Sequence, residues 1–413
     1  MVYVLSNMGT PLMPCTSAIG RILLKQKKAR VKMTVPFTIV LNYDTTHYVQ
    51  ELTLGVDTGS AKIGTAVVNG RNEVVYVSEI AIRNDITKKM TQRSKYRRNR
   101  RNRKTRYRQA RWLNRGNSIK TGRFSPTMTS KINSHCKEIR FVSSILPIKN
   151  LIIETASFDV HALKNPEVLK DLYLYQHGIN YGFANSKAFV LDRDGHKCQN
   201  KTCKTKVKRV ETHHIIFRSD GGSDEPENLI TLCESCHDGL HEGTVVLKLV
   251  GKKKSTLSHA TQMNSIRTQL LKIFPAAKET FGFITKEHRW LMELPKTHYN
   301  DAVAISSRGK NVSFKTDDLL VKKCVSDGDY QLSKGIRSEQ PIPVRKISGF
   351  RKFDKVKYKG EYYLIKGRMA TGYAILMDIE GGKTDLKPIP KFMLMKRISA
   401  RKSWMIFSKK IAA

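Results

Sequence analysis

The sequence predicts a multidomain α/β protein whose main sheet is assembled from segments far apart in the chain. Three observations lead to this class. Three short strand patterns at 52–56 (LTLGV), 62–68 (KIGTAVV) and 73–82 (EVVYVSEIAI), joined by Gly or Asn turns, read as a meander. The next strand comes only at 150–156 (NLIIETA), a continuous apolar run of the kind buried on both faces. Between them lies Lys88–Arg115, with fourteen Lys or Arg and no Asp, Glu, Gly or Pro, and after them comes a compact Cys/His module over 186–250.

The elements follow in order. Residues 2–5 (VYVL) and 37–41 (FTIVL) read as strands, with a basic amphipathic helix from Arg21 to Val31 between them. After the meander, nothing in Lys88–Arg115 forbids one continuous helix, which would span roughly 42 Å. It would be basic all round, with only Met90, Tyr96, Tyr107, Trp112 and Leu113 able to pack. Such a helix is stable only against a polyanion that neutralises its self-repulsion. The bland alternative is a solvated arm, but arms usually sit at chain ends and carry Gly, Ser and Pro. A Gly/Ser/Pro loop follows (Gly116 to Pro126), then a helix over 130–145, the strand at 150–156, a helix over 259–273, a strand over 280–285 and a helix over 298–307. After about 320 the pieces 356–358, 361–366 and 372–379 suggest a small five-strand barrel of SH3 or OB type.

Composition restricts the partners. The chain has 413 residues and a formal charge of +40, of which the basic stretch supplies fourteen. That balance argues for nucleic acid. A membrane is not expected: no apolar run approaches the ~20 residues needed to cross a bilayer. The N-terminal MVYVLSNMGTPLMPC lacks the basic and apolar regions of a signal peptide, so a cytoplasmic protein is expected. In that setting Cys198/Cys203 and Cys233/Cys236 read as a zinc site rather than disulfides, while Cys15, Cys136 and Cys324 read as isolated structural thiols.

The first chemical site is in the Cys/His module. His213 and His214 lie in the strand pattern VETHHIIF, so their side chains should point to opposite faces. His237 and His241 are four apart in CHDGLHEG and would share one helix face. His213, His237 and His241 can then hold one divalent ion, with His214 as the base that activates water. Asn228, before the strand LITLC, would orient the loop through its amide. The competing reading is a purely structural zinc ribbon with surface histidines, which does not need four further His in this order. The pattern HHII…NL…CxxCHxxxH resembles the HNH (ββα-metal) nuclease motif over about 65 residues. The resemblance implies Mg²⁺ or Mn²⁺ at the histidines, although imidazole also suits Zn²⁺.

The second site is spread along the chain. Asp57 ends a strand in LGVDTGS, Glu154 lies in LIIETA, and His298 and Asp301 open the helix THYNDAVAI. Each acid alone is weak evidence. Together they suit two Mg²⁺ ions ~3.5–4 Å apart, which clamp a phosphodiester. In this strand–meander–strand–helix context they resemble the split RNase H-like fold of RuvC nucleases, with His298 helping to activate water or position the ions.

A RuvC fold interrupted by an Arg-rich helix and then by an HNH domain resembles the IscB family, transposon-encoded RNA-guided DNA nucleases related to the dual-nuclease CRISPR effectors. Pro11, Leu12, Met13 and Pro14 match that family's PLMP module. The resemblance implies a PLMP module over 1–51, RuvC parts at 52–83, 119–185 and 251–320, a bridge helix at 84–118, HNH at 186–250 and a β-rich target-motif-interacting domain at 321–413. It implies two Mg²⁺ ions in RuvC and one in HNH, structural Zn²⁺ on the four cysteines, and a monomer bound to a structured guide RNA. It also implies a double-stranded DNA target with a short adjacent motif. HNH would cut the guide-paired strand and RuvC the displaced one. Arg93, Arg97, Arg98, Arg100, Arg101, Arg103, Lys104, Arg106, Arg108 and Arg111 would hold RNA or heteroduplex by its backbone. Two other functional readings are a protein-guided HNH homing or restriction-type endonuclease, which would cut bare DNA without RNA, and a non-cleaving RNA-binding regulator, which would cut nothing.

Overall fold

A computed structural model of the chain describes residues 1–102, 122–203, 209–247, 251, 257–326 and 346–411. The chain folds as two units, Met1–Ala156 with Gln262–Ala413, and Ser157–Thr261, so the second is inserted into the sequence of the first. Among the described residues no helix is long and apolar enough to cross a membrane. The fold is mixed α/β with several sheets.

The chain begins with β1 (Tyr3–Leu5), α1 (Ser17–Lys25), β2 (Ala29–Thr34) and β3 (Phe37–Leu41), which form a three-stranded sheet in the order β1-β3-β2. The helix expected over Arg21–Val31 therefore ends early. Its second half is β2, because a two-residue turn brings Thr34 opposite Phe37 and antiparallel pairing with β3 satisfies the backbone.

The main sheet follows. β4 (Leu52–Asp57), β5 (Lys62–Asn69) and β6 (Glu73–Ala81) form the meander, and α2 (Ile86–Asn102), α3 (Pro126–Ser143) and β7 (Ile148–Thr155) come next. The inserted unit contributes α4 (Val160–Lys164), α5 (Ser186–Arg193), β8 (Val210–His214), β9 (Leu229–Cys233) and α6 (Glu234–His241). The chain returns through α7 (Ser258–Ile273), β10 (Lys278–Phe281), α8 (Gly282–Leu291), α9 (His298–Ser307), β11 (Ser313–Phe314) and β12 (Asp318–Cys324). The sheet order is β10-β7-β4-β5-β6-β12, continued beyond β12 by a strand at Trp404–Lys410, with β7 parallel to β4 and β10 parallel to β7. Of the strand expected over 280–285, only the start is extended. The chain enters α8 at Gly282, and this puts Thr285 and Arg289 on one buried helix face.

Both faces of this sheet are covered, which is why β5 reads as one apolar run. Ile63 and Val67 pack with Ile132, Cys136, Ile139 and Val142 of α3, while Ala66 and Val68 pack with Ala302 and Val303 of α9. The α3 face also holds a polar cluster that sequence patterning did not reveal. Glu138 accepts from Lys322 Nζ at 2.7 Å, Ser78 Oγ at 2.8 Å, Tyr76 OH at 2.9 Å and Thr65 Oγ1 at 3.1 Å. Glu138 and Lys322 are both fully buried. Burial pulls Lys322 below the ordinary lysine range, against the opposing charge of Glu138.

The C-terminal part holds β13 (Lys355–Tyr358), β14 (Glu361–Arg368), β15 (Ala374–Met377), β16 (Lys396–Ser399) and β17 (Trp404–Lys410). The expected five-strand barrel differs from what the described residues show. Four strands make an antiparallel sheet, β15-β14-β13-β16, over Val356, Tyr358, Ile365, Leu376 and Phe392, and β17 leaves to pair with β12 in the main sheet. Trp404 explains the departure: its ring packs edge-on against Phe141 of α3, at 5.2 Å between centroids. The last strand is thus drawn into the main core.

Candidate functional site

The acidic site is built on the α9 face of the main sheet. Along β4 the side chains alternate, with Leu52, Leu54 and Val56 toward α3 and Asp57 toward α9. Asp57 and Glu154 are register partners across the parallel β4–β7 pair, so their side chains share a face. Thr58 Oγ1 donates to the Glu154 carbonyl at 2.7 Å and ties the two strand ends together. Helix α9 starts at a Thr297 cap, whose side chain accepts from Asn300 N. Two glycines let it lie on the strands. A Cβ at Gly64 would stand 1.9 Å from the His298 carbonyl oxygen, and one at Gly55 2.5 Å from that of Ala302.

The helix delivers two side chains. His298 Nδ1 is 2.6 Å from Asp57 Oδ2. That bond, more than burial opposes it, raises the imidazole above its usual range. Asp301 is buried and lies 2.8 Å from Arg289 Nε, at an angle that makes no hydrogen bond, and 3.1 Å from Lys296 Nζ. Burial lifts Asp57 above the ordinary carboxylate range, and burial followed by the charge of Asp57 pushes Glu154 up to about 7. Glu154 Oε2 and Asp301 Oδ1 are buried without a hydrogen-bond partner. The raised pKa values of the buried Asp57 and Glu154, and the unpartnered Glu154 Oε2, fit a hard divalent cation.

The histidine site lies in the inserted unit. β8 and β9 pair antiparallel with His213 opposite Ile230, and α6 follows β9 directly. The ring centroids of His213, His237 and His241 are 4.7–5.1 Å apart. Among the described residues two groups have ligand atoms all within 4.8 Å of one another: these three histidines, and Cys198, Cys203, Cys233 and Cys236. The three carboxylates are not drawn that closely together. Burial, then the neighbouring imidazoles, lowers His213 to about 4, so it is neutral and able to ligate across the physiological range. Its Nε2 is buried without a hydrogen-bond partner, which fits a metal ligand.

A cavity of about 280 Å³ is lined by the three histidines with Thr212, His214, Phe217 and Arg218. His213 and His214 thus face one cavity, although the strand pattern predicts opposite faces. His214 is the last residue of β8, where the pleat ends and the chain turns. Asn228 is fully buried and fixes that turn. It accepts from Ile216 N and donates to the carbonyls of Ile216 and Ser223, at 2.9–3.0 Å. The turn returns Asp224 to His214 Nε2 at 2.8 Å, and Arg218 Nε donates to the same carboxylate oxygen at 2.7 Å. Sequence reasoning missed both Asp224 and Arg218; the paired glycines 221 and 222 were the available signal for a reversal. The four cysteines form no disulfide, and Asn200 Nδ2 donates to Cys236 Sγ at 3.2 Å, the kind of support a thiolate ligand receives.

Helix α2 carries Arg93, Arg97 and Arg98, all exposed, and the backbone of Arg100 and Arg101. Arg103, Lys104, Arg106, Arg108 and Arg111, with the rest of the expected helix to Arg115, lie outside the described residues.

Comparison with known proteins adds to this geometry. A family model described as RRXRR protein matches residues 2–178, and one described as HNH endonuclease matches residues 198–243. The chain is also similar to anaredoxin of Nostoc sp. (strain PCC 7120 / SAG 25.82 / UTEX 2576), at 29% identity over 69 residues, which cover 17% of this chain and 88% of that protein. The HNH match contains His213, His214, Asn228, His237, His241 and all four cysteines of the cluster. It supports a nuclease that acts on DNA, and divalent-metal dependence is general for that class. An RRXRR domain followed by an HNH endonuclease domain is consistent with a member of the IscB family.

Proposed function

We propose that this chain is an RNA-guided double-strand DNA endonuclease in which the histidine site cuts the guide-paired strand and the acidic site cuts the displaced strand. The observation that supports the reading is the presence of two chemically different clusters, three histidines in one unit and buried carboxylates in the other. One duplex offers two strands to cut. The strand order β6-β5-β4-β7-β10, with Asp57 and Glu154 at the ends of adjacent parallel strands, supports a split RNase H-like (RuvC) core. In this reading 1–51 is the PLMP module, 52–83, 119–185 and 251–320 are the RuvC parts, 84–118 is the bridge helix, 186–250 is HNH and 321–413 reads a motif beside the target.

Asp57, Glu154 and Asp301 would hold Mg²⁺, His213, His237 and His241 a divalent ion that imidazoles favour, and the four cysteines structural Zn²⁺. The ions at the two hydrolytic sites would supply Lewis-acid polarisation of the phosphoryl oxygen. The chain's own residues do the rest. His214 has its Nε2 bonded to Asp224, so Nδ1 is the atom left to accept the proton of attacking water. His298 uses Nδ1 on Asp57, so its Nε2 is the atom left to position water at the acidic site.

Two substitutions probe the supports. Asp224→Ala is expected to slow cutting of the guide-paired strand by roughly 10–100-fold, as loss of an orienting partner does, with the displaced strand unaffected. Strand-specific end-labelled substrates measure both. Gly64→Ala is expected to push α9 off the sheet and to cost roughly 100-fold at the displaced strand only, the scale of a 1 Å misplacement. Equal loss on both strands would mean that the change unfolds the chain instead.

The test of the whole reading is to express the protein with its native flanking DNA and sequence the RNA that copurifies. A discrete RNA with a constant structured part and a variable segment is the expected result, and the variable segment then names a target to cut. No discrete RNA, with cutting of bare DNA retained, would replace it with a protein-guided HNH endonuclease.

A further inference from the structure

Helix α8 is inside out. A surface helix normally buries its apolar stripe and exposes its polar one. Here Thr285 and Arg289, four apart, are the buried pair, 2% and 7% exposed. Phe283, Trp290 and Leu291 are 71%, 62% and 67% exposed. The buried side has an evident task. Arg289 reaches Asp301. Thr285 Oγ1 donates to the Phe281 carbonyl at 3.4 Å, and its hydroxyl works against the burial that raises Glu154. Gly282, the first residue of the helix, leaves only 3.2 Å between a would-be Cβ and Glu154 Oε1. The polar face is thus turned to two of the three acids, and a separate, aromatic face of the same helix is left in solvent.

Phe283, Lys286 and Trp290 are spaced three and four apart, so they form one stripe along the helix. Lys286 Nζ sits 4.4 Å above the Trp290 ring, and the Phe281 and Phe283 rings lie parallel, 3° apart. Lys296, 74% exposed, continues the cationic side to Asp301. Glu287 is the one acid on the stripe.

We infer that this face of α8 binds an unpaired nucleic-acid strand, stacking its bases on Phe283 and Trp290 and so feeding its backbone to Asp57, Glu154 and Asp301. Stacked aromatics interleaved with ammonium groups are how proteins hold single strands without regard to sequence, because every base offers a π face. A paired duplex hides those faces, so the stripe selects for the unpaired strand. The +40 charge of the chain favours a polyanion over a protein partner. The inference rests on the acidic site being a nuclease site. It adds the element that recognises the substrate's single-stranded state.

The test uses the full-length protein and a single-stranded DNA oligonucleotide carrying 5-bromodeoxyuridine. After irradiation, cross-links are expected to map to the peptide containing Phe283 and Trp290, and to be absent with a blunt duplex of the same sequence. In the guided complex, Phe283→Ala/Trp290→Ala should slow displaced-strand cutting by at least tenfold, mainly through KM, and leave the guide-paired strand unchanged. Trp290→Phe should restore most of the loss. Absence of the cross-link together with unchanged cutting overturns the inference. So does a dimer of the wild-type chain that Trp290→Ala dissociates, because the face would then be a contact between copies. Asp57→Ala serves as the separate control. If it leaves displaced-strand cutting intact, the nuclease reading of the acidic site has failed, whereas the cross-link still reports on stacking.

Discussion

Asp57→Ala is expected to leave an enzyme that nicks only the guide-paired strand, and His214→Ala one that nicks only the displaced strand. Asp57 is the acid on which the others depend: it is the register partner of Glu154 and the hydrogen-bond acceptor of His298. Its removal leaves Glu154 without the charge that helps to hold its pKa near 7, and His298 without its anchor. Loss of His214 removes the base of the other site, a change worth on the order of 10²–10⁴ in rate on that strand. Both are read from one experiment: supercoiled plasmid target, with nicked and linear products resolved and the cut strand identified by end-labelling. Two complementary nickases would establish two independent sites. A single substitution that abolishes all cutting would sink the two-site assignment.

Lys322→Ala is expected to destabilise the main unit by about 3–5 kcal/mol, the cost of leaving a buried charge without its partner. Lys322 Nζ lies 2.7 Å from both oxygens of Glu138 and 2.6 Å from Tyr76 OH, with the Phe141 ring 4.2 Å away. Truncation strands the Glu138 carboxylate inside a sheet–helix core that water does not reach. The double change Lys322→Met/Glu138→Leu removes both charges at similar volume and should come close to wild type. Denaturant unfolding measures all three proteins, with Trp404, whose ring is 4.9 Å from the ammonium, as a local reporter. If Lys322→Ala falls within 1 kcal/mol of wild type, the pair does not bear on stability. The network matters for function because it ties α3 to β6 and β12, strands of the same sheet that carries the acidic strands β4 and β7.

The sequence by itself determined the features that depend on local repetition. The strand patterns at 52–56, 62–68 and 73–82, set apart by short Gly or Asn turns, and the continuous run NLIIETA correspond to β4, β5, β6 and β7, because strand propensity and turn residues are written locally. The spacing in CHDGLHEG placed His237 and His241 on one helix face for the same reason. Cysteine spacing identified a four-thiol cluster, since paired ligands are encoded by short intervals. Tertiary structure alone decided what depends on partners distant in the chain. It brought His298 to Asp57 across 241 residues and Lys322 to Glu138 across 184, contacts with no local period to betray them. It also turned Arg21–Val31 into half a helix and half a hairpin, and sent β17 to the main sheet instead of a barrel. In each case a backbone pairing or a buried ring outweighed local propensity, because hydrogen-bond satisfaction and burial are settled over the whole fold. The polar inner face of α8 belongs to the same class: a helix written outside in makes sense only beside the acids it serves.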